Sequence, residues 1–240
     1  MSLANGRSYL AIPGPSVMPE RVIRAMVRTA PNIYHGEMPD MVPGLVQDLK
    51  AVARTAHDVA IYISNGHGTW EAAISNVTSP GDLVLVAATG SFSHGWAEIA
   101  RARGVETETL DFGLRAPIDP EALKERLAAD SNGRIRAVLV VQTDTATSVR
   151  SDVAAVRKAI DAAGHEALLM VDSIACLGCD RMEMDAWGVD LLITGSQKGL
   201  MTPPGLGFVF FNEKADRWRE TAKCVTRYWD WRPRVEPEVF

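Results

Sequence analysis

The chain of 240 residues lacks the features of a secreted, membrane or nucleic-acid-binding protein. It has only three cysteines, Cys176, Cys179 and Cys224. That is too few, and odd in number, for a disulfide framework, and it fits a reducing compartment. No apolar run approaches the roughly 20 residues that span a bilayer, and Met1–Ser16 has neither the basic start nor the apolar stretch of a signal peptide. The expectation is a soluble cytoplasmic protein. Positive charge is not in excess either: 25 Lys+Arg stand against 30 Asp+Glu, a formal net charge of −5, which excludes a polybasic nucleic-acid protein by composition. Cys176-Leu177-Gly178-Cys179 has no second CxxC and no His-x-x-x-His partner, so its cysteines read as small packing residues and no metal site is expected.

With 47% hydrophobic and 23% charged residues, the chain has the composition of a folded globular protein. Short β-branched runs alternate with helical patterns. Val59–Ser64, Leu83–Ala87, Glu106–Leu110, Ala137–Val141, Ala167–Val171, Leu191–Thr194 and Phe208–Phe211 read as strands, several apolar on both faces. Thr69–Val77, Ser93–Arg103, Pro120–Ala129 and Ser151–Ala163 carry apolar residues at helical spacing between them. This alternation predicts an α/β fold with a mainly parallel sheet covered on both faces. Gly195–Gly207 is too rich in Gly and Pro to hold a crossover helix, so the last strand is expected to enter antiparallel. Ahead of the sheet, Pro13-Gly14-Pro15-Ser16 opens an irregular arm, followed by helices near Pro19–Thr29 and Met41–Ala56 with a loop over Pro31–Pro39. A helix is also expected over Glu213–Cys224. Beyond it, Tyr228 to Pro237 shows no period, and its aromatics have no evident partner in the chain. No internal repeat or linker divides residues 1 to 210.

Ligands of open parallel sheets collect at the carboxyl ends of strands. Four such places carry chemistry. Ser64-Asn65-Gly66-His67-Gly68-Thr69 leads into a helix and presents backbone N–H groups and a positive dipole end to an anion, although it matches neither GxGxxG nor the P-loop. Its bland alternative is a plain glycine-rich turn. Asp172 ends an apolar strand, where a carboxylate is costly without a partner, unless it merely caps the next turn. Lys198, in Thr194-Gly195-Ser196-Gln197-Lys198-Gly199, is either a solvated loop cation or a desolvated nucleophilic amine. Gln142–Thr147 is a hydroxyl-rich loop. Together an anion cradle, a carboxylate, a lysine and hydroxyl donors are the set that pyridoxal phosphate requires.

Pro13-Gly14-Pro15-Ser16, Gly66-His67 with Glu71-Ala72-Ala73, Pro80-Gly81-Asp82, Val171-Asp172-Ser173, Ser196-Gln197-Lys198 and Pro203-Pro204-Gly205 occur here in one order. In these motifs the chain resembles the class V, fold-type I pyridoxal-phosphate enzymes, and most closely the alanine/serine–glyoxylate aminotransferase group. The resemblance implies a three-layer large domain with a mainly parallel sheet and one antiparallel strand. Lys198 is then the lysine that joins the cofactor and moves the substrate proton, and Asp172 the partner of the pyridine nitrogen. Asn65, Gly66 and His67 form the phosphate-side loop, with Gln197 as a further phosphate contact. Thr145 is a hydroxyl near the ring or its 3′-oxygen, and Ile174 packs on one ring face.

The family often places Trp over the cofactor where this chain has Phe92. Phe92 is the stacking residue by alignment, with His94 as substitute and a plain core role as the alternative. His35 lies in the family's early active-site loop or on the surface. His57 and His165 read as surface or helix-end residues, and Trp187 as packing.

The implied reaction moves an amine from serine, alanine or aspartate to glyoxylate or a related 2-oxo acid, in a homodimer, with no nucleic acid or membrane as partner. Residues 1–20 are read as the arm, 21–225 as the cofactor-binding domain, and 226–240 as the start of a connection to a small C-terminal domain absent from this chain. That domain is expected to hold the carboxylate-binding arginine, since Arg227, Arg232 and Arg234 do not match its motif. The rival readings are a lyase or desulfurase-like class V enzyme and a catalytically incomplete cofactor-binding fragment. A dinucleotide oxidoreductase would need a third glycine after Gly66-His67-Gly68.

Overall fold

The computed structural model describes residues 10–235. Residues 1–9 of the expected arm and 236–240 of the expected connection lie outside them. The chain begins with two helices, α1 (Glu20–Met26) and α2 (Glu37–Ala53). There follow β1 (Asp58–Ser64), α3 (Gly66–Val77), β2 (Leu83–Ala88), α4 (Ser91–Ala102), β3 (Glu106–Asp111), α5 (Pro120–Ala128) and β4 (Ile135–Val141). The remainder is α6 (Val153–Ala162), β5 (Leu168–Asp172), β6 (Leu191–Gly195), β7 (Gly205–Phe211), α7 (Glu213–Arg219) and a short α8 (Arg232–Val235).

The seven strands form one sheet in the order β1-β7-β6-β5-β4-β2-β3. Strand β7 is antiparallel to both of its neighbours, β1 and β6. All other neighbouring pairs are parallel. The turn from β6 into β7 is therefore a reversal, as the Gly- and Pro-rich segment between them predicts.

Alternate residues on the strands feed two separate cores, which is why the strands read as apolar on both faces. Leu85, Ala87, Phe208 and Phe210 join α2, α5 and α6 on one face. Val84, Val86, Val209 and Phe211 join α3, α4 and α7 on the other. The result is three layers, helix on sheet on helix. Side-chain caps set several helix starts: Asp119 accepts from Glu121 N, Asp152 from Ala155 N and Asn212 from Ala215 N. Asp152 accordingly starts α6 at Val153, slightly later than the hydrophobic pattern suggests.

Two expectations are corrected. Helix α2 begins at Glu37, inside the expected loop. Glu37 and Asp40 favour its positive end, and Pro39 lies in the first turn, where a missing N–H costs nothing. The C-terminal aromatics do find partners. Trp231 is fully buried, stacked on Phe211 with centroids 4.2 Å apart and 8° between planes, and its indole N–H donates to Asp216 Oδ1 at 2.8 Å. The segment escapes periodicity analysis because it packs as an irregular strap. His165 lies just past the end of α6, in line with its helix-end reading, and its side chain is buried there: its Nε2 lies 3.1 Å from Asp130 Oδ2, with both side chains under 10% exposed. Burial raises the Asp130 carboxyl, but hydrogen bonds from Ile135 N–H and His165 outweigh it and hold it below the ordinary range. Trp187 packs against the core, as expected.

Candidate active site

Six strands run in the same direction, so β1, β4, β5 and β6 end on one edge of the sheet, and β7 starts there, with Ser64 beside Gly205 and Gly195 beside Gly207. A cleft of about 290 Å³ opens at this edge. Asn65, Gly66, His67, Phe92, Thr145, Asp172, Ile174, Gln197 and Lys198 all line it. They come from five separate segments of the chain. Trp70, which the sequence did not single out, lines it too, as does Thr143 of the hydroxyl-rich loop.

At the mouth of α3, the Asn65 side chain accepts a hydrogen bond from Gly68 N at 3.2 Å. Asn65 is thus an N-cap. The backbone N–H groups of Gly66 and His67 lie in the first turn, where no intrahelical acceptor exists. A Cβ at Gly66 would meet Ile174 Cδ1 at 2.5 Å, so the present position of the Ile174 side chain depends on the glycine.

Asp172 ends β5, paired with Val141 on one side and Ile193 on the other, and is 3% exposed. Its Oδ1 accepts from Ile174 N at 2.7 Å and its Oδ2 from the Trp70 indole N–H at 2.6 Å. Burial, with a smaller push from the Asp144 charge, raises its carboxyl to about 6, although both hydrogen bonds and Lys198 pull the other way.

Lys198 follows β6 and donates to the carbonyl of Pro13 at 3.1 Å. The arm is fixed here by Ser16, whose N–H and hydroxyl both donate to Gln197 O, at 2.8 and 3.2 Å. Gln197 Oε1 is buried without a hydrogen-bond partner.

Phe92 lies in the first turn of α4, whose Gly90 N-cap offers no side chain. The missing cap comes from Asp144, in the loop after β4: its Oδ2 accepts from Phe92 N at 3.0 Å and Ser93 N at 3.2 Å. A Cβ at Gly90 would collide with that carboxylate. Thr145 is the next residue, so one loop supplies both the clamp and a hydroxyl. His94 points elsewhere, 3.5 Å from Asp111. His35 is exposed and outside the cleft. Among the cysteines, Cys176 is buried, with its thiol pushed up to about 11 by burial, while Cys179 is exposed. No cluster of His, Cys, Asp or Glu suited to a metal ion occurs among the described residues, and none of their helices is long and apolar enough to cross a membrane.

A mixed sheet with one reversed strand, a lysine after β6 and a buried aspartate at the end of β5 define the large domain of a fold-type I aminotransferase. The chain belongs to the family described as Aminotransferase class-V, whose profile matches residues 8–226. It is 40% identical over 232 residues to a serine–glyoxylate aminotransferase of Methylorubrum extorquens, covering 94% of this chain and 58% of that protein. It is 41% identical over 224 residues to an L-aspartate–glyoxylate aminotransferase of Paracoccus denitrificans, covering 91% and 56%. The crystal structure of a subgroup IV aspartate aminotransferase from Thermus thermophilus superposes with a TM-score of 0.84 at 30% identity, over 93% of this chain and 61% of that one. The chain thus spans somewhat over half the length of these relatives.

Proposed function

We propose that this chain carries the pyridoxal-phosphate site of an amino acid–glyoxylate aminotransferase, which passes an amine from serine, alanine or aspartate to glyoxylate or a related 2-oxo acid. The observation that carries the proposal is the convergence of Lys198, Asp172 and the open N-terminus of α3 on one cleft. The names of the relatives supply the substrate class.

The residues present fit the cofactor. The first turn of α3 offers N–H donors and a positive dipole end to its phosphate. Gln197 lines the same cleft, and its Oε1 is buried without a hydrogen-bond partner. A buried carboxylate pushed up to about 6 calls for a cationic N–H partner, and a protonated pyridine nitrogen is one. When bound, pyridoxal phosphate supplies an electron-withdrawing ring that absorbs the charge released at the substrate's α-carbon.

The chain's own residues then divide the work. Lys198 Nζ would hold the cofactor and, as a free amine, would carry the proton away from the substrate α-carbon. Asp172 would keep the pyridine nitrogen protonated. Ile174 and Phe92, which line the cleft, would pack on the ring, and Thr145 would offer it a hydroxyl.

The reading extends to a homodimer in the cytoplasm. Ile23, Met26, Val27, Ile33, Tyr34 and Met41, around α1 and the start of α2, are all exposed apolar side chains that a second copy would cover. The three free cysteines suit a reducing compartment.

The test is a visible spectrum of the purified protein with added pyridoxal phosphate, before and after borohydride. A band that borohydride fixes to Lys198, and that Lys198→Ala abolishes, is expected. Consumption of glyoxylate with at least one of the three donors is expected in the full chain. Absence of any borohydride-fixed adduct overturns the cofactor reading; an adduct without glyoxylate turnover overturns the substrate reading alone.

A further inference from the structure

We propose that Trp70 is a positioning residue of this site, whose indole N–H holds the Asp172 carboxylate ionised and turned toward the cleft. The inference rests on the cofactor reading above. Trp70 is 2% exposed, and its Nε1 lies 2.6 Å from Asp172 Oδ2 although the two residues are 102 apart in sequence. An indole can only donate, so the direction of this hydrogen bond is fixed: the aspartate accepts, and the interaction favours its charged form. Ile174 N occupies the other oxygen at 2.7 Å. One donor on each oxygen sets the plane of the carboxylate and leaves lone pairs on both for a third N–H from the cofactor ring.

The indole is itself locked. Trp96 stacks on it at 6.3 Å with 14° between planes, and Trp96 Nε1 donates to the Trp70 carbonyl at 3.3 Å. Phe92 meets it edge-on at 6.0 Å and His67 at 4.8 Å. Gly95 leaves room for it, since a Cβ there would stand 3.3 Å from the ring. One rigid side chain thus ties the phosphate loop, the aromatic wall and the buried acid together. Other ionisable groups around Asp172 do not duplicate it: Asp144 opposes the charge, Cys176 is a buried neutral thiol, and Lys198 favours the carboxylate by its charge while its Nζ donates to Pro13.

The test compares wild type, Trp70→Phe, Asp172→Asn and the double variant as full chains without cofactor. The infrared band of a protonated carboxylic acid is followed against pH, with Asp172→Asn subtracted to isolate Asp172. Trp70→Phe is expected to raise the pH of protonation by about one to two units, the size of one lost charge-assisted hydrogen bond. Pyridoxal phosphate affinity is expected to fall roughly 10- to 100-fold in Trp70→Phe, yet less than about 2-fold further when Trp70→Phe is added to Asp172→Asn. A mere packing role would move neither titration nor coupling. If Trp70→Phe does not fold, the indole N–H resonance of Trp70 in wild type decides: it should titrate with Asp172 and cease to do so in Asp172→Asn.

A titration unchanged in folded Trp70→Phe, or an indole resonance indifferent to pH, overturns the role of Trp70 while the Lys198 adduct of wild type keeps the cofactor reading intact. A shifted titration with no such adduct in wild type overturns the cofactor reading and the role built on it.

Discussion

The ammonium of Lys198 donates to the carbonyl of Pro13 at 3.1 Å across 185 residues of chain, so the N-terminal arm closes directly on the lysine that the cofactor would join. The fit leaves no room for a side chain: a Cβ at Gly14 would stand 2.6 Å from Lys198 Cδ and 2.8 Å from its Nζ. Gly14 also has φ +149°, a conformation that L side chains rarely adopt. Gly14→Ala should therefore displace the arm and misplace the amine. The expected outcome is at least a 10-fold slower appearance of the borohydride-fixed band, with the urea midpoint nearly unchanged. A normal rate would show that the arm moves aside freely.

Asp144 caps α4 from another loop and should matter twice. Asp144→Ala leaves the Phe92 and Ser93 N–H groups without their acceptor, a loss of roughly 1–3 kcal/mol in unfolding free energy by urea titration. Removal of its charge should also lower the pH at which Asp172 protonates, because Asp144 pushes that group up. A rise instead would contradict the proximity of the two acids.

The raised carboxyl of Asp172 makes a pH prediction with a definite sign. Its value moves from 3.8 to about 6 on folding, so between these pH values the native state binds the proton and the unfolded chain does not. Stability from this group is present below pH 3.8 and is lost as pH rises through about 6. From pH 5 to pH 7.5 the loss is about 1.4 kcal/mol. The unfolding free energy of wild type minus that of Asp172→Asn, both without cofactor, should fall by this amount. A difference that stays flat or rises would mean that the carboxylate is not desolvated. With cofactor present, Asp172→Asn should still form the Lys198 adduct but abstract the substrate proton slowly, since an amide cannot stabilise a protonated pyridine.

Trp231 anchors the strap that follows α7. Trp231→Ala should cost about 3–5 kcal/mol by urea titration, since it removes a fully buried indole and leaves Phe211 uncovered. Trp231→Phe should retain much of that packing while losing the hydrogen bond to Asp216. A cost below about 1 kcal/mol for the alanine variant would mean that the strap is detached in solution.

Asn65, Gly66, His67, Asp172 and Lys198 were legible because each ends a strand or closely follows one, and strand ends can be read from local hydrophobic pattern; Phe92 and Ile174, and the roles of Thr145 and Gln197, came from the family resemblance. Trp70 was legible in neither way. Within α3 it is one more apolar residue on a buried face, and nothing local distinguishes an indole that fills space from one that donates to a carboxylate. Asp144 was hidden for a related reason: it caps a helix 52 residues earlier in the chain, whereas capping signals are sought next to the helix they serve. The C-terminal aromatics looked unpartnered because a strap has no period.

By itself, then, the amino-acid sequence determined the layers, the reversed last strand and the four loops at the carboxyl edge of the sheet. These follow from side-chain alternation and from glycine and proline placement, which act over a few residues. Only the tertiary structure decided which groups touch within that edge: the arm on Lys198, Trp70 on Asp172 and Asp144 on the first turn of α4. Those contacts join segments tens to hundreds of residues apart, and their geometry is set by how three layers pack around one sheet.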